Sequence, residues 1–239
     1  MAQKETPGEV TMERLCHESI FSYFIHISDF GCKITKKNRN FAAKKEKVRT
    51  MRSKAILAAL MVFATVSAQK ADKLYEEGKA LYDAKNYSAA VPKLKAAAEK
   101  GHKKAQYRLG LCYDKGKGVE ENDAKAVEWY SKAAAQDYAK AQYQLGKCYK
   151  NGEGVAKDRK KATALFAKSA RQENADAQYQ LGKSYLKGKG IETDQKKAKN
   201  WLQKAVNNPK GGAKILEELR KDAANGDEDA KNILSILGK

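Results

Sequence analysis

The chain has 239 residues, and its 48 lysines and arginines against 29 acidic residues leave a net charge of +19. Histidines are few, three in all, which argues against a histidine-based metal cluster. Only one of them, His102, lies beyond residue 68, together with two of the four cysteines, Cys112 and Cys148.

Residues 1–50 carry Cys16, Cys32 and the scattered aromatics Phe21, Tyr23, Phe24, Phe30 and Phe41, with no helical or strand period. They end in the basic run Lys44-Lys45-Glu46-Lys47-Val48-Arg49. Residues 51–68 then have the three parts of a secretory signal: basic Arg52 and Lys54, an apolar run from Ala55 to Val66, and small residues at Val66-Ser67-Ala68. The apolar run is too short to cross a hydrocarbon core of about 30 Å as a helix. A buried amphipathic helix is the competing reading.

A signal normally opens a chain. The expected start is therefore Met51, with residues 1–50 a leader that arises from an upstream start; the alternative is a cytoplasmic tail on a membrane-inserted signal. Cleavage after Ala68 predicts an exported protein, periplasmic or secreted, without a transmembrane span. Its 36 basic and 23 acidic residues give net +13.

From residue 69 the chain reads as helices. Leu74, Gly78, Leu81 and Tyr82 share one face of a helix over residues 70–84. Asn86-Tyr87-Ser88 breaks it, and a second helix over 88–100 turns Ala90, Leu94, Ala97 and Ala98 inward. Pro92 stands near its first turn, and Gly101 closes it.

Then one passage occurs three times. Ala105-Gln106-Tyr107-Arg108-Leu109-Gly110 returns as Ala141-Gln142-Tyr143-Gln144-Leu145-Gly146 and as Ala177-Gln178-Tyr179-Gln180-Leu181-Gly182, at a fixed period of 36. Such a period marks a repeat array. A first helix is predicted at about 103–114, 139–150 and 175–187, and a second at about 123–136, 159–172 and 195–207. Asn122, Asp158 and Asp194 stand where an N-cap belongs. Glycine inside a helix costs about 0.5–1 kcal/mol against alanine. Its return at Gly110, Gly146 and Gly182 therefore predicts close helix approach. Aligned Ala126, Ala162 and Ala198 leave room for it, and Trp129, Leu165 and Trp201 are expected to fill the space behind.

Gly116-Lys117-Gly118, Gly152-Glu153-Gly154 and Gly188-Lys189-Gly190 follow a helix rather than a strand, so they predict connecting loops that bury Val119, Val155 or Ile191, not a phosphate cradle. Cys112 and Cys148 share a slot with Ser184 and are expected as buried free thiols, a disulfide between them being the alternative. After Asn207-Asn208-Pro209 and Gly211-Gly212 the register loosens, and residues 213–225 and 227–237 read as two helices that cap the array. Two registers conflict there: Ala213 holds the period of a first helix, whereas Ala223-Ala224-Asn225-Gly226 resembles the junction that follows a second one.

These units resemble the Sel-one-like repeat (SLR) family, a branch of the tetratricopeptide-like α-solenoids. Its pattern of Ala, Leu-Gly, Tyr, Gly-x-Gly-Val, Asp and Lys-Ala stands here as Ala141, Leu145-Gly146, Tyr149, Gly152, Gly154-Val155, Asp158 and Lys161-Ala162, with Lys168 further on. The resemblance covers about residues 103–208; the hairpin over 69–102 looks like a plain tetratricopeptide unit, and 209–239 is the cap. Leu165 stands in place of the family's tryptophan, and Asp137, Glu173 and Pro209 stand where it usually has glycine, which puts the shape of those turns in doubt. The disulfide per repeat of secreted members is absent.

The resemblance implies an all-α fold, a right-handed α-solenoid of stacked antiparallel helix hairpins. It also implies a non-enzymatic scaffold that binds a protein or peptide through a concave face lined by the first helices. Carried onto this chain, that face holds Tyr75, Tyr107, Tyr143 and Tyr179, with Lys79, Lys147 and Lys183 one turn on and Lys104 and Lys140 at the helix openings. Tyrosines edged by lysines suit an extended segment with acidic groups or a free carboxylate. The other reading is that the tyrosines pack between helices and the lysines are a solvated face.

No catalytic residue, metal ligand or cofactor site is expected. Ser184-Tyr185-Leu186-Lys187 matches Ser-x-x-Lys, but Cys112 to Lys115 and Cys148 to Asn151 fill the same slots. Nucleic acid is not expected as a partner, because the lysines are spread over outward positions. Binding of an anionic envelope polymer, a membrane surface or nucleic acid through the lysine-rich surface is the alternative function.

Overall fold

The structure is a computed structural model that describes residues 41–239. The expectations for residues 1–40 lie outside the described residues. The chain divides into two compact units, one ending at Val66 and the other running from Ser67 to Lys239.

One helix, α1 (Phe41–Asp83), passes through the division. It begins well before the expected residue 70. The sequence explains this: Phe41 to Glu77 holds no proline or glycine, and alanine, lysine, glutamate and leucine favour helix throughout. In the first unit Met51, Ile56, Met61 and Val66 are exposed. Among the described residues no helix is long and apolar enough to cross a membrane.

The second unit is all-helical. After the end of α1 come α2 (Tyr87–Glu99), α3 (Lys103–Asp114), α4 (Asp123–Ala135), α5 (Ala139–Asn151), α6 (Arg159–Arg171), α7 (Ala175–Lys187), α8 (Gln195–Val206), α9 (Gly212–Ala224) and α10 (Glu228–Leu237). Each helix packs chiefly on its neighbours in sequence, as an α-solenoid requires. The hairpins α3/α4, α5/α6 and α7/α8 follow the 36-residue period to within a residue of the expected ends.

Small residues on the inward stripes explain the stacking. Ala105, Leu109 and Cys112 in α3, Ala141, Leu145 and Cys148 in α5, and Ala177, Leu181 and Ser184 in α7 are all buried at spacings of four and three. The second helices match them with Ala126, Tyr130 and Ala133, with Ala162, Phe166 and Ser169, and with Ala198, Leu202 and Ala205.

The helical glycines mark the closest contacts. A Cβ on Gly110 would stand 2.6 Å from the Tyr130 ring, one on Gly146 2.6 Å from Phe166, and one on Gly182 2.8 Å from Leu202. The residue filling the space is thus one place beyond that expected. Trp129, Leu165 and Trp201 instead turn toward the preceding hairpin, where they are only half-buried.

Capping follows the sequence closely. Asn122, Asp158 and Asp194 accept from the amides of Lys125, Lys161 and Lys197 at 2.8–2.9 Å. Those amide bonds are the main reason that the Asp158 and Asp194 carboxyls lie below the usual range. Pro92 falls in the second turn of α2, where it removes the amide that would have bonded the carbonyl of exposed Ser88.

The turns between hairpins correct a doubt raised by the sequence. Asp137 and Glu173 adopt positive φ, 54° and 62°, as Gly101 does at 86°. The amides of His102, Tyr138 and Asn174 all donate to the carbonyl five residues back. The turn shape is therefore kept without glycine at these two, whereas beyond Pro209 the equivalent amide, that of Lys210, donates to Asn208 Oδ1 instead.

The Gly-x-Gly loops bind hairpin to hairpin. The second glycine of each, Gly118, Gly154 and Gly190, lies on the backbone of the first residue of the preceding second helix, Tyr87, Asp123 and Arg159. No side chain fits in these gaps.

At the C-terminus both conflicting registers are honoured. Helix α9 opens on the 36-residue period, and the Asp227 amide then donates to the Asp222 carbonyl in the same turn that joins earlier hairpins. Asp227 in turn caps α10 through the Ala230 amide.

Candidate functional site

The candidate face is that of the first helices, α1, α3, α5 and α7. Tyr75 is 6% exposed. Its ring stacks on His102 at 4.3 Å, and Arg108 Nε donates to its hydroxyl at 3.4 Å. Tyr107, Tyr143 and Tyr179 are half-buried. Tyr107 meets Tyr138 edge-on at 5.4 Å and lies near Tyr130, while Tyr143 lies against Phe166 at 5.9 Å. All three therefore pack between helices on one side and reach the surface on the other. Burial raises the phenol pKa of Tyr107, and pushes those of Tyr143 and Tyr179 up to about 12.

The lysines fall into two groups. Lys104 and Lys140 are exposed at their helix openings, and Lys79 pairs with Asp83 at 3.3 Å. Lys147 and Lys183 are half-buried, and Lys183 Nζ lies 5.2 Å from the centre of the Tyr179 ring.

Several residues of this face carried no assignment in the sequence. Arg108 bridges Tyr75 and Asp83 and lies over Tyr82 at 5.2 Å. Tyr138 extends the aromatic row. Lys150 Nζ donates to Gln180 Oε1 at 3.1 Å and joins α5 to α7. Acidic groups come near the last tyrosines: Asp176 of α7 and Glu218 of α9 act on Tyr143, and Asp222, Asp227, Asp229 and Glu218, from the C-terminal helices and the turn between them, on Tyr179.

Behind this face runs a buried amide ladder. Gln136 Nε2 donates to Gln106 Oε1 at 2.8 Å, Gln172 to Gln142 at 2.8 Å, and Asn208 Nδ2 to Gln178 at 3.1 Å. Gln106, Gln142 and Gln178 each pass a hydrogen bond on to the preceding second helix, at the carbonyls of Ala98, Ala134 and Ala170. Among the described residues no buried side-chain nitrogen or oxygen lacks a partner. The signal was the glutamine that recurs at the period, in a slot flanked by apolar residues.

Cys112 and Cys148 are free, buried thiols. Burial raises them to about 11 and about 12, which makes them inert at neutral pH. No group of three or more His, Cys, Asp and Glu that could hold a metal ion occurs among the described residues.

The Sel1 repeat model matches residues 103–138, 139–174 and 175–209, the three hairpins that carry this face. A Sel1 repeat protein from Oxalobacter formigenes, solved by crystallography, is 31% identical, with 65% of this chain and 72% of that chain covered and a TM-score of 0.55. The chain belongs to the Sel1 repeat family. A second similar structure is c5321, a protective antigen of uropathogenic Escherichia coli with an SLR fold. It is 26% identical with a TM-score of 0.57, over 75% of this chain but only 41% of that one. No curated protein matches.

The matched repeats contain the aligned glycines, caps and loops. Sel1 repeats build a helical scaffold of the kind typically used in protein–protein interaction, generally without catalysis.

Proposed function

We propose that the chain is a non-catalytic adaptor that captures one protein or peptide partner along the α3, α5 and α7 face. The observation that carries this is the row of Tyr107, Tyr143 and Tyr179, each anchored on its inner side by a neighbouring helix and open on its outer side. Such tyrosines offer contact area at little entropic cost, because packing already fixes the ring. Lys147 and Lys183 edge the row and favour a partner segment with acidic groups.

Crosslinking with mass spectrometry on the native protein tests this reading. One stoichiometric protein should be recovered. Replacing Tyr143 with alanine and Lys147 with glutamine together should abolish its capture while circular dichroism still reports a helical fold. Recovery of the same partner by that variant would reject the face.

Export belongs to the same proposal. The n-region, apolar run and small residues of 51–68 support it, as do the exposed Met51, Ile56, Met61 and Val66. A cut after Ala68 would fall two residues beyond the division of the chain and leave the helical repeats whole. N-terminal sequencing of the exported protein should start at Gln69, and a retained Met1 would sink the reading.

A further inference from the structure

Most of the charged side chains that touch anything in the second unit are paired along one helix or across a turn. The cluster at the C-terminal ends of α5 and α7 is different. Lys147 and Lys150 lie one turn apart on α5, Lys183 and Lys187 one turn apart on α7, and Lys189 follows in the next loop. The bond from Lys150 Nζ to Gln180 Oε1 draws the α5 lysines onto α7.

Among the described residues Lys147, Lys150, Lys183 and Lys189 form no ion pair with a carboxylate; only Lys187 does, with Asp229 at the start of α10. Burial lowers the Lys150 pKa first, and Lys183, Lys147 and Lys189 lower it further, while Glu153 gives a small opposing pull. Like charges held this close oppose folding and are relieved by an anion.

The geometry points to a carboxylate-binding subsite formed by Lys147, Lys150, Lys183 and Lys189, which receives acidic side chains of a partner polypeptide. This rests on the adaptor reading and narrows it to one place on the face. Two observations favour a polypeptide over a phosphate polymer. The chain's own Asp229 already sits at the edge of the cluster, where Lys187, Lys183 and Lys189 hold its carboxyl below the usual range. The cluster is also lysine alone, without the planar arginine fork that matches phosphate in two bonds. Tyr179 and the Gln180 amide beside it offer the area and hydrogen bonds that a peptide backbone uses.

The test is fluorescence anisotropy with labelled octaglutamate, against octaserine, polyphosphate and a short DNA duplex, at an ionic strength of about 0.1 M. Two variants are compared with the full chain. One carries Lys147→Gln, Lys150→Gln and Lys183→Gln; the other removes the same charge from α6 and α8 with Lys160→Gln, Lys196→Gln and Lys199→Gln. Octaglutamate should bind the native protein and be weakened at least about tenfold by the first variant, but less than about twofold by the second.

Both variants should melt within about 4 °C of the native protein. Equal weakening by the two, tighter binding of polyphosphate or DNA, or no octaglutamate binding would each overturn the subsite. If the first variant still crosslinks the native partner, the subsite fails and the adaptor reading stands. If octaglutamate behaves as expected but no protein is crosslinked, the subsite stands and the adaptor reading fails.

Discussion

Gly146 lies so close to the Phe166 ring that a Cβ there would be 2.6 Å from Cε1 and 3.3 Å from the Ala162 carbonyl oxygen. Phe166 is 1% exposed and cannot swing away without opening the core. Alanine at 146 would gain about 0.5–1 kcal/mol of helix propensity. Overpacking costs about 1–3 kcal/mol and prevails. Gly146→Ala should therefore lower the melting temperature by about 2–6 °C, and Gly146→Leu by more. Gly146→Ala combined with Phe166→Leu should lose less than the two single changes summed, because Cε1 and Cδ1 of that ring are the atoms within 3 Å of the new Cβ. Thermal denaturation of these variants measures this, and additive losses would reject the contact.

Gln142 is 1% exposed and carries three hydrogen bonds. It accepts from Gln172 at 2.8 Å and donates to Asp137 Oδ1 at 3.2 Å and to the Ala134 carbonyl at 3.4 Å. Gln142→Leu keeps the volume and leaves those partners unsatisfied, at about 1–3 kcal/mol. Gln172→Ala removes one exposed end of the chain and should cost about 1 kcal/mol or less. Urea denaturation should rank the two in that order.

Much of this arrangement was legible before the structure. The period of 36 located every helix of the three hairpins, because a motif repeated with its caps and loops fixes ends as well as periods. The close approach at Gly110, Gly146 and Gly182 was legible for the same reason. The amide ladder was not. Hydropathy assigns glutamine to the surface, and only pairing with a second amide thirty residues away makes its burial tolerable. The residue behind each glycine was missed by one place, since tryptophan outweighs its neighbour in size but not in direction. The tyrosine row was legible as a pattern, whereas its division into a packed and an open side required the neighbouring helices.

Glu173 holds φ 62° in the turn between α6 and α7, where a non-glycine residue is strained by about 1 kcal/mol. Its side chain is exposed and takes no part in the ladder; only its backbone carbonyl does, as acceptor for Asn208 Nδ2. Glu173→Gly should therefore raise the melting temperature by about 2–4 °C. Asp137→Gly should give less, because the Asp137 carboxylate accepts from Gln142. A fall in melting temperature for Glu173→Gly would refute the strain.

His102 caps α3 by accepting the Ala105 amide at Nδ1, at 3.1 Å, while its Nε2 stands 3.3 Å from Asp72. Burial lowers its pKa more than Asp72 raises it. The folded protein therefore binds the proton less readily than the unfolded chain, whose value is about 6.5. The stability involved is present in full above about pH 6.5, and is lost as pH falls through the lowered folded value. His102→Asn keeps a capping oxygen and removes the titration. Melting temperatures of native and variant protein should diverge between about pH 7.5 and 5, with the native protein losing more. Parallel curves would exclude His102 as the source.

Gly118, Gly154 and Gly190 rest on peptide atoms of the hairpin before them, at a residue that is tyrosine, aspartate or arginine by turns. The joint between modules is thus indifferent to side-chain identity. A module copied from one position would find the same footing at another, so such an array can lengthen or shorten by duplication and loss in whole steps of 36 residues, while its outward side chains vary independently of the joint.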